Sequence, residues 1–283
     1  MKKRQLLILF ACVLMTGCVG LQLQQGDVLF ENPLPRLDIQ PVEPNAAEKE
    51  GVVLRFNPPV SGVRTSQEEI VVYTQVKDNR GSELRLVQNL TEHSKPGSRK
   101  DSYINLGRTT FENASGELIE DLEVTTRGEI VRFIRSVNDS EMGKFTIVDW
   151  KRTPTVPEGP VKIGDTWNYE ETMDLRLESK LAREIDPKPF TIKAQCSLTG
   201  FAEMKGKRVA VVKIATSQKR LQRLKVLFKE MTMVMKTHVE ETDYIDYAEG
   251  VVLARIARTR STSDEWNYDI HDEELGQSVF FVK

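Results

Sequence analysis

The stretch EIVVYTQVKDNRGSELRLVQNL, residues 69–90, decides the fold class. Residues 69–76 and 83–90 alternate apolar with polar side chains, which is the period of a strand with one apolar face. Residues 78–81 lie between the two runs and are of the types that favour a tight turn. The stretch therefore predicts a β-hairpin.

The same texture continues on both sides of this hairpin. Residues 219–235 fit either a basic amphipathic helix or a continuing strand, and the surrounding β pattern favours the strand. The sequence thus predicts a mainly β protein with few helices, whose antiparallel meander forms a curved sheet, a half-barrel or two similar sheets. Further strands, separated by turn residues, are predicted at 52–56, 103–106, 118–125, 130–134, 144–150, 167–179, 190–201, 208–215, 231–247 and 251–259.

Proline and glycine divide the chain into regions. They are most concentrated at residues 154–166, which we interpret as a connection between a first β-rich region, 51–153, and a second one, 167–283. Residues 18–50 contain several prolines and no sustained period, so they are predicted to form a flexible tether.

The first 17 residues have the order of a secretory signal. Basic residues at 2–4 precede an apolar run at 6–15, which ends in small or hydroxyl side chains. The run has about half of the roughly 20 apolar residues that a membrane-spanning helix needs. We therefore interpret residues 1–17 as a signal peptide that is removed.

Residues 14–18, Leu-Met-Thr-Gly-Cys, resemble the lipobox of bacterial lipoproteins. The resemblance implies cleavage before Cys18 and acyl chains on its thiol, which anchor the protein to a membrane because each buried methylene contributes about 0.8 kcal/mol. Val19 follows, where an Asp would retain a lipoprotein in the inner membrane. In a host with two membranes, the resemblance implies the outer membrane, facing the periplasm. A plain secretory signal with a chance cysteine is the alternative.

Charge and cysteine content exclude other classes. The chain has 40 basic and 42 acidic side chains, which gives no basic footprint for nucleic acid. Cys12 leaves with the signal and Cys18 takes lipid, so Cys196 remains as a predicted buried thiol. No disulfide and no paired-cysteine metal site is expected.

The sequence lacks the common catalytic motifs, including GxSxG, SxxK, HExxH, the phosphate loop and the glycine-rich dinucleotide turn. Its histidines, at 93, 238 and 271, are far apart in the chain. The acidic segment 263–276 has no calcium-loop pattern and is interpreted as a solvated loop before the apolar run 278–282. We predict no enzyme activity, no metal and no cofactor.

Two short phrases repeat, DTWNY at 165–169 and DEWNY at 264–268. Aromatic side chains in such pairs favour contact with a ligand or a partner. They also commonly fill one face of a strand, and this second interpretation stays open. The candidate contact residues are Trp167, Tyr169, Trp266 and Tyr268.

The phrases GPVKIGDTWNYE, 159–170, and YIDYAEGVVLARI, 244–256, resemble β-rich periplasmic lipoproteins that build curved or half-barrel sheets, like the lipoprotein carriers. This resemblance implies a non-catalytic role in the cell envelope, in which the protein binds a partner protein or an apolar or lipid ligand. The alternatives are a scaffold subunit of an envelope assembly and a hydrolase that uses carboxylates alone.

Overall fold

The structure is a computed structural model of the chain. Cys18, Trp266 and Tyr268 lie outside the residues that it describes. The described residues are 37–59, 62–76, 82–112, 114–139, 145–177, 182–226, 229–265 and 270–282.

The described part of the chain is almost entirely β-strand, with one short helix. The helix, α1, is Ala46–Glu50. The strands are β1 Ile39–Val42, β2 Val63–Val76, β3 Ser82–Pro96, β4 Ser102–Phe111, β5 Ala114–Thr125, β6 Ile130–Asn138, β7 Phe145–Arg152, β8 Thr166–Leu177, β9 Ala182–Glu184, β10 Phe190–Met204, β11 Lys207–Val226, β12 Lys229–Asp246, β13 Val251–Glu265 and β14 Ile270–Val282.

All these strands belong to one sheet, and every pairing is antiparallel. From β2 to β8, consecutive strands pair with each other, and the same holds from β10 to β14. Strand β14 also pairs with β2. Strand β10 pairs with β8 along one edge and with β11 along the other. The predicted mainly β antiparallel meander, with its hairpin of β2 and β3, is confirmed as a single sheet.

The sheet curves around one face, which we call the inner face. Leu224 of β11 packs in one apolar cluster with Leu118 of β5, although four strands, β6, β7, β8 and β10, lie between them in the order of the sheet. Strand alternation then assigns every second residue to this face. The inner face therefore contains the main apolar core.

A second cluster fills one end of the inner face. Val52 and Leu54 pack against Leu198 and other core residues in this cluster, which we call the closing cluster. A bridge between Val52 and Val161 joins them to the 154–166 connection. Of the predicted strand 52–56, only Val52 makes a β-bridge. Cys196 lies in the same cluster, as predicted, and burial raises the pKa of its thiol to about 12.

The predicted tether 18–50 is wrong for residues 37–50, which are folded. Asn45 accepts a hydrogen bond from the Glu48 backbone and forms a capping box that starts α1. The buried Glu48 carboxylate then accepts hydrogen bonds from Arg208 at 2.6 and 2.8 Å and from the Tyr247 hydroxyl at 2.6 Å. These long-range partners leave no periodic signal in the sequence.

The predicted acidic loop, 263–276, is also wrong for its described residues, because 263–265 belong to β13 and 270–276 belong to β14. Strand β14 has a neighbour on each edge, β13 and β2, which satisfy its backbone hydrogen-bonding groups. In the ambiguous segment 219–235, the described residues lie in β11 and β12, which confirms the continuing strand.

Candidate binding site on the inner face

Strand β11 carries polar side chains on the inner face. Gln218, Arg220 and Gln222 are buried, whereas Leu221, between two of them, is 61% exposed. This is the reverse of the usual arrangement, in which a strand turns its apolar residues inward and its polar residues to solvent. The polar side chains therefore face an enclosed region for which hydrogen-bond partners are required.

Gln218 lies at the start of a row of neutral polar side chains that crosses three strands. It pairs with Thr237 of β12, which pairs with Ser261 of β13. The hydroxyls of Thr237 and Ser261 are hydrogen-bonded to each other at 3.1 Å. The exposed fractions are 9% for Gln218, 4% for Thr237 and 6% for Ser261. We call these three residues the polar row.

The amide of Gln218 has unmet hydrogen-bonding capacity. Its Nε2 and Oε1 atoms are both buried, and neither has a hydrogen-bond partner in the described part of the chain. Leaving a buried polar group unpaired costs about 1–3 kcal/mol, so native proteins rarely contain one without a reason. A donor and an acceptor thus point into the enclosed region at the same place.

Arg220, two residues from Gln218, is held by an ion pair. Its Nη2 donates to both carboxylate oxygens of Glu184 at 2.8 and 2.9 Å, and its guanidinium lies 4.5 Å from the ring centroid of Phe190. Burial raises the pKa of Glu184 and lowers that of Arg220, because each charge has left water. The two charges compensate each other within the inner face.

The opposite wall of the inner face contains the acidic residue Glu120. Burial raises its pKa to about 8, the negative charges of Glu171 and Glu92 act in the same direction, and Arg152 opposes them. Ser136, its cross-strand neighbour, has a buried hydroxyl oxygen without a partner among the described residues. A carboxyl with this pKa is mostly protonated at neutral pH.

Side chains at one end of the inner face are completely buried, whereas several beside the polar row keep some accessible surface. Leu198 and Ala210, in the closing cluster, have no exposed surface. Phe190, Ile192 and Met173 also face inward, on β10 and β8, and each keeps some accessible surface. These apolar side chains lie beside the polar row, since the register that pairs Lys193 with Ser217 puts Ile192 next to Gln218.

Trp167 and Tyr169, two of the predicted contact residues, lie on the inner face of β8 and pack against the closing cluster. The Trp167 indole Nε1 donates to the carbonyl oxygen of Thr155 at 2.7 Å. Burial raises the pKa of the Tyr169 hydroxyl. Their contact role stays a prediction, as does that of Trp266 and Tyr268, which lie outside the described residues.

The polar row was not found by sequence reasoning. Residues 216–223 carry polar side chains at nearly every position, so alternation could not assign Gln218 to a buried face. The available signal was negative: this stretch lacks the apolar face that other strands of the sheet show. Thr237 and Ser261 join Gln218 only through strand register.

The described residues contain no group of three or more His, Cys, Asp or Glu side chains that could hold a metal ion. Within the same residues, no helix has the length and apolar character needed to cross a membrane. Comparisons with protein-family models and with curated proteins find no match for the chain.

Proposed function

We propose that this protein is a lipid-anchored protein of the cell envelope that binds an apolar or lipid ligand on the inner face of its sheet, without catalysing a reaction. The observation that carries the proposal is the buried amide of Gln218, which has no partner among the described residues and lies beside inward-facing apolar side chains. A ligand with an apolar part and a polar end would satisfy both features.

The apolar part of such a ligand has a suitable wall. Leu118, Ile147, Leu175 and Leu224 belong to one buried cluster on the inner face, and Met173 and Phe190 pack against this cluster. Burying a ligand chain against such side chains contributes about 0.8 kcal/mol per methylene. An acyl chain of about ten methylenes would therefore contribute about 8 kcal/mol, which lies within the range of about 4–15 kcal/mol that association costs in lost freedom of motion.

The anchor follows from the lipobox resemblance at residues 14–18. Residues 19–36 separate Cys18 from the first described residue, Leu37. Fully extended, such a segment spans at most roughly 60 Å, at about 3.3 Å per residue. An acylated Cys18 would thus hold the sheet within reach of lipids at the membrane surface.

Native mass spectrometry of the full-length protein, purified from its own membrane in a mild detergent, tests the proposal. We expect a covalent acyl mass that is lost in Cys18→Ala, together with a noncovalent lipid at about one per chain. An unacylated wild-type chain would contradict the anchor. A chain free of noncovalent lipid, also after incubation with total membrane lipid, would contradict the binding role.

A further inference from the structure

We infer that the polar row is the binding site for the polar head of the ligand, and that this head is neutral and both donates and accepts hydrogen bonds. A hydroxyl or an amide on an apolar chain has this chemistry. The inference rests on the proposed binding function and deepens it, because it names the residues and the class of head group. It is carried by Gln218, Thr237 and Ser261.

The need for both a donor and an acceptor comes from the glutamine side chain. An amide presents two N–H donors on Nε2 and two acceptor sites on Oε1, and in Gln218 both atoms are buried and unpartnered among the described residues. The paired hydroxyls of Thr237 and Ser261 keep further capacity, since each oxygen has two lone pairs. A head group seated on the row would meet several of these groups together.

The neutrality of the head follows from the charges around the row. Arg220, the cationic side chain next to Gln218 on β11, is occupied by Glu184. Further along the inner face, Arg255 is bonded to Asp243 at 2.8 Å and to Glu241 at 3.0 Å. An anionic head on the polar row would enter a buried region in which the described cations already have carboxylate partners, and burying an uncompensated charge is costly.

The position of the apolar chain is set by the other neighbours of Gln218. Ile192 of β10 lies beside it, one residue beyond the pair of Lys193 with Ser217. Phe190 and Met173, which pair with each other, extend the apolar surface towards the cluster that contains Leu224. A chain that starts at the polar row can therefore continue over these residues, away from the tightly filled end of the inner face.

Binding of two probes with the same acyl chain tests the inference. One probe is a monoacylglycerol, with a neutral dihydroxyl head, and the other is the corresponding fatty acid, with a carboxylate at neutral pH. Each is titrated into the full-length protein in the same detergent, and binding is measured by native mass spectrometry. We expect the monoacylglycerol to bind at least tenfold more tightly, because the row offers donors and acceptors but no free cation in its described surroundings.

Three variants show whether the preference depends on the polar row. Gln218→Leu and Gln218→Met should each reduce it to less than threefold, because they remove the amide and keep an apolar side chain of similar size. Gln195→Leu is the matched control, since Gln195 lies exposed on the outer face of β10. It should keep the full preference. Two Gln218 variants are used because a folding defect in one of them would leave the other for the comparison.

Each outcome has a distinct meaning. Equal binding of the two probes, or a preference that survives in both Gln218 variants, would overturn the assignment of the head-group site and leave the proposed function standing. Failure of both probes and of total membrane lipid to bind would remove the proposed function, and the head-group site with it.

Discussion

The chemistry of Glu120 differs from that of a surface carboxyl. This residue faces the interior of a curved sheet, and removal from water raises its pKa to about 8. The unfolded chain titrates near the ordinary value of 4.5. Between these two pH values the folded state binds more protons than the unfolded state, so stability falls as pH rises.

Substitution of Glu120 tests this pH dependence. We expect Glu120→Gln to exceed the wild type in unfolding free energy by on the order of 2–4 kcal/mol above pH 8, and the difference to shrink towards pH 4.5. Urea unfolding at pH 5 and pH 8.5 measures it. Glu203→Gln, at an exposed position on β10, is the control. An identical dependence of unfolding free energy on pH in wild type and Glu120→Gln would contradict the raised pKa of this carboxyl.

Gln218 makes a second prediction at the scale of a residue. In the ligand-free protein, Gln218→Leu removes two buried and unpaired polar atoms, so we expect the unfolding free energy to rise by about 1–3 kcal/mol. Gln195→Leu, at an exposed site, should change it by less than about 0.5 kcal/mol. A Gln218→Leu protein less stable than wild type would show that the amide supports the fold instead of waiting for a ligand.

The buried carboxylate of Glu48 helps to hold helix α1 to the sheet. Glu48 is almost completely buried, and its hydrogen bonds from Arg208 lower its pKa to about 2. Glu48→Ala should cost about 2–4 kcal/mol of unfolding free energy at pH 7, because Arg208 loses its partner. Glu50→Ala, whose side chain is 84% exposed, should cost less than about 1 kcal/mol. Equal effects of the two substitutions in urea unfolding would contradict this account.

The Glu48 carboxylate also makes the attachment of helix α1 sensitive to acid. Since its pKa is lower in the folded state, Glu48 contributes stability above pH 4.5, and this contribution is lost as pH falls towards 2. Thermal unfolding should therefore show a smaller difference between wild type and Glu48→Ala at pH 2.5 than at pH 7. A difference that is constant across this range would mean that the ion pair is not its source.

Sequence reasoning succeeds for elements whose signal is local. The hairpin of β2 and β3 is visible in alternation and turn chemistry, and so is the buried position of Cys196. It fails for β14, because the charged residues of this strand resemble a loop as long as its two neighbouring strands are not known. It also fails for β1 and α1, because their anchoring contacts come from residues near position 200 and beyond. Long-range pairing overrides local propensity in each case.

At the scale of the whole molecule, the candidate site depends on both strand register and the curvature of the sheet. Gln218, Thr237 and Ser261 are separated along the chain and meet through the register of β11, β12 and β13. The apolar wall comes from β5 to β8, and from β10 and Leu224 of β11 beside the polar row. The sequence predicted a curved antiparallel sheet, but no period in it indicates which polar residues face inward.

Photo-crosslinking tests the central claim most directly. A monoacylglycerol with a diazirine in its acyl chain is irradiated with the full-length protein, and the labelled residues are located by peptide mass spectrometry. We expect label on inner-face residues of β8, β10 and β11, such as Met173, Phe190 and Ile192. We also expect unlabelled monoacylglycerol to compete this label away. Label confined to the outer face, for example at the exposed Leu221, would contradict a ligand site inside the sheet.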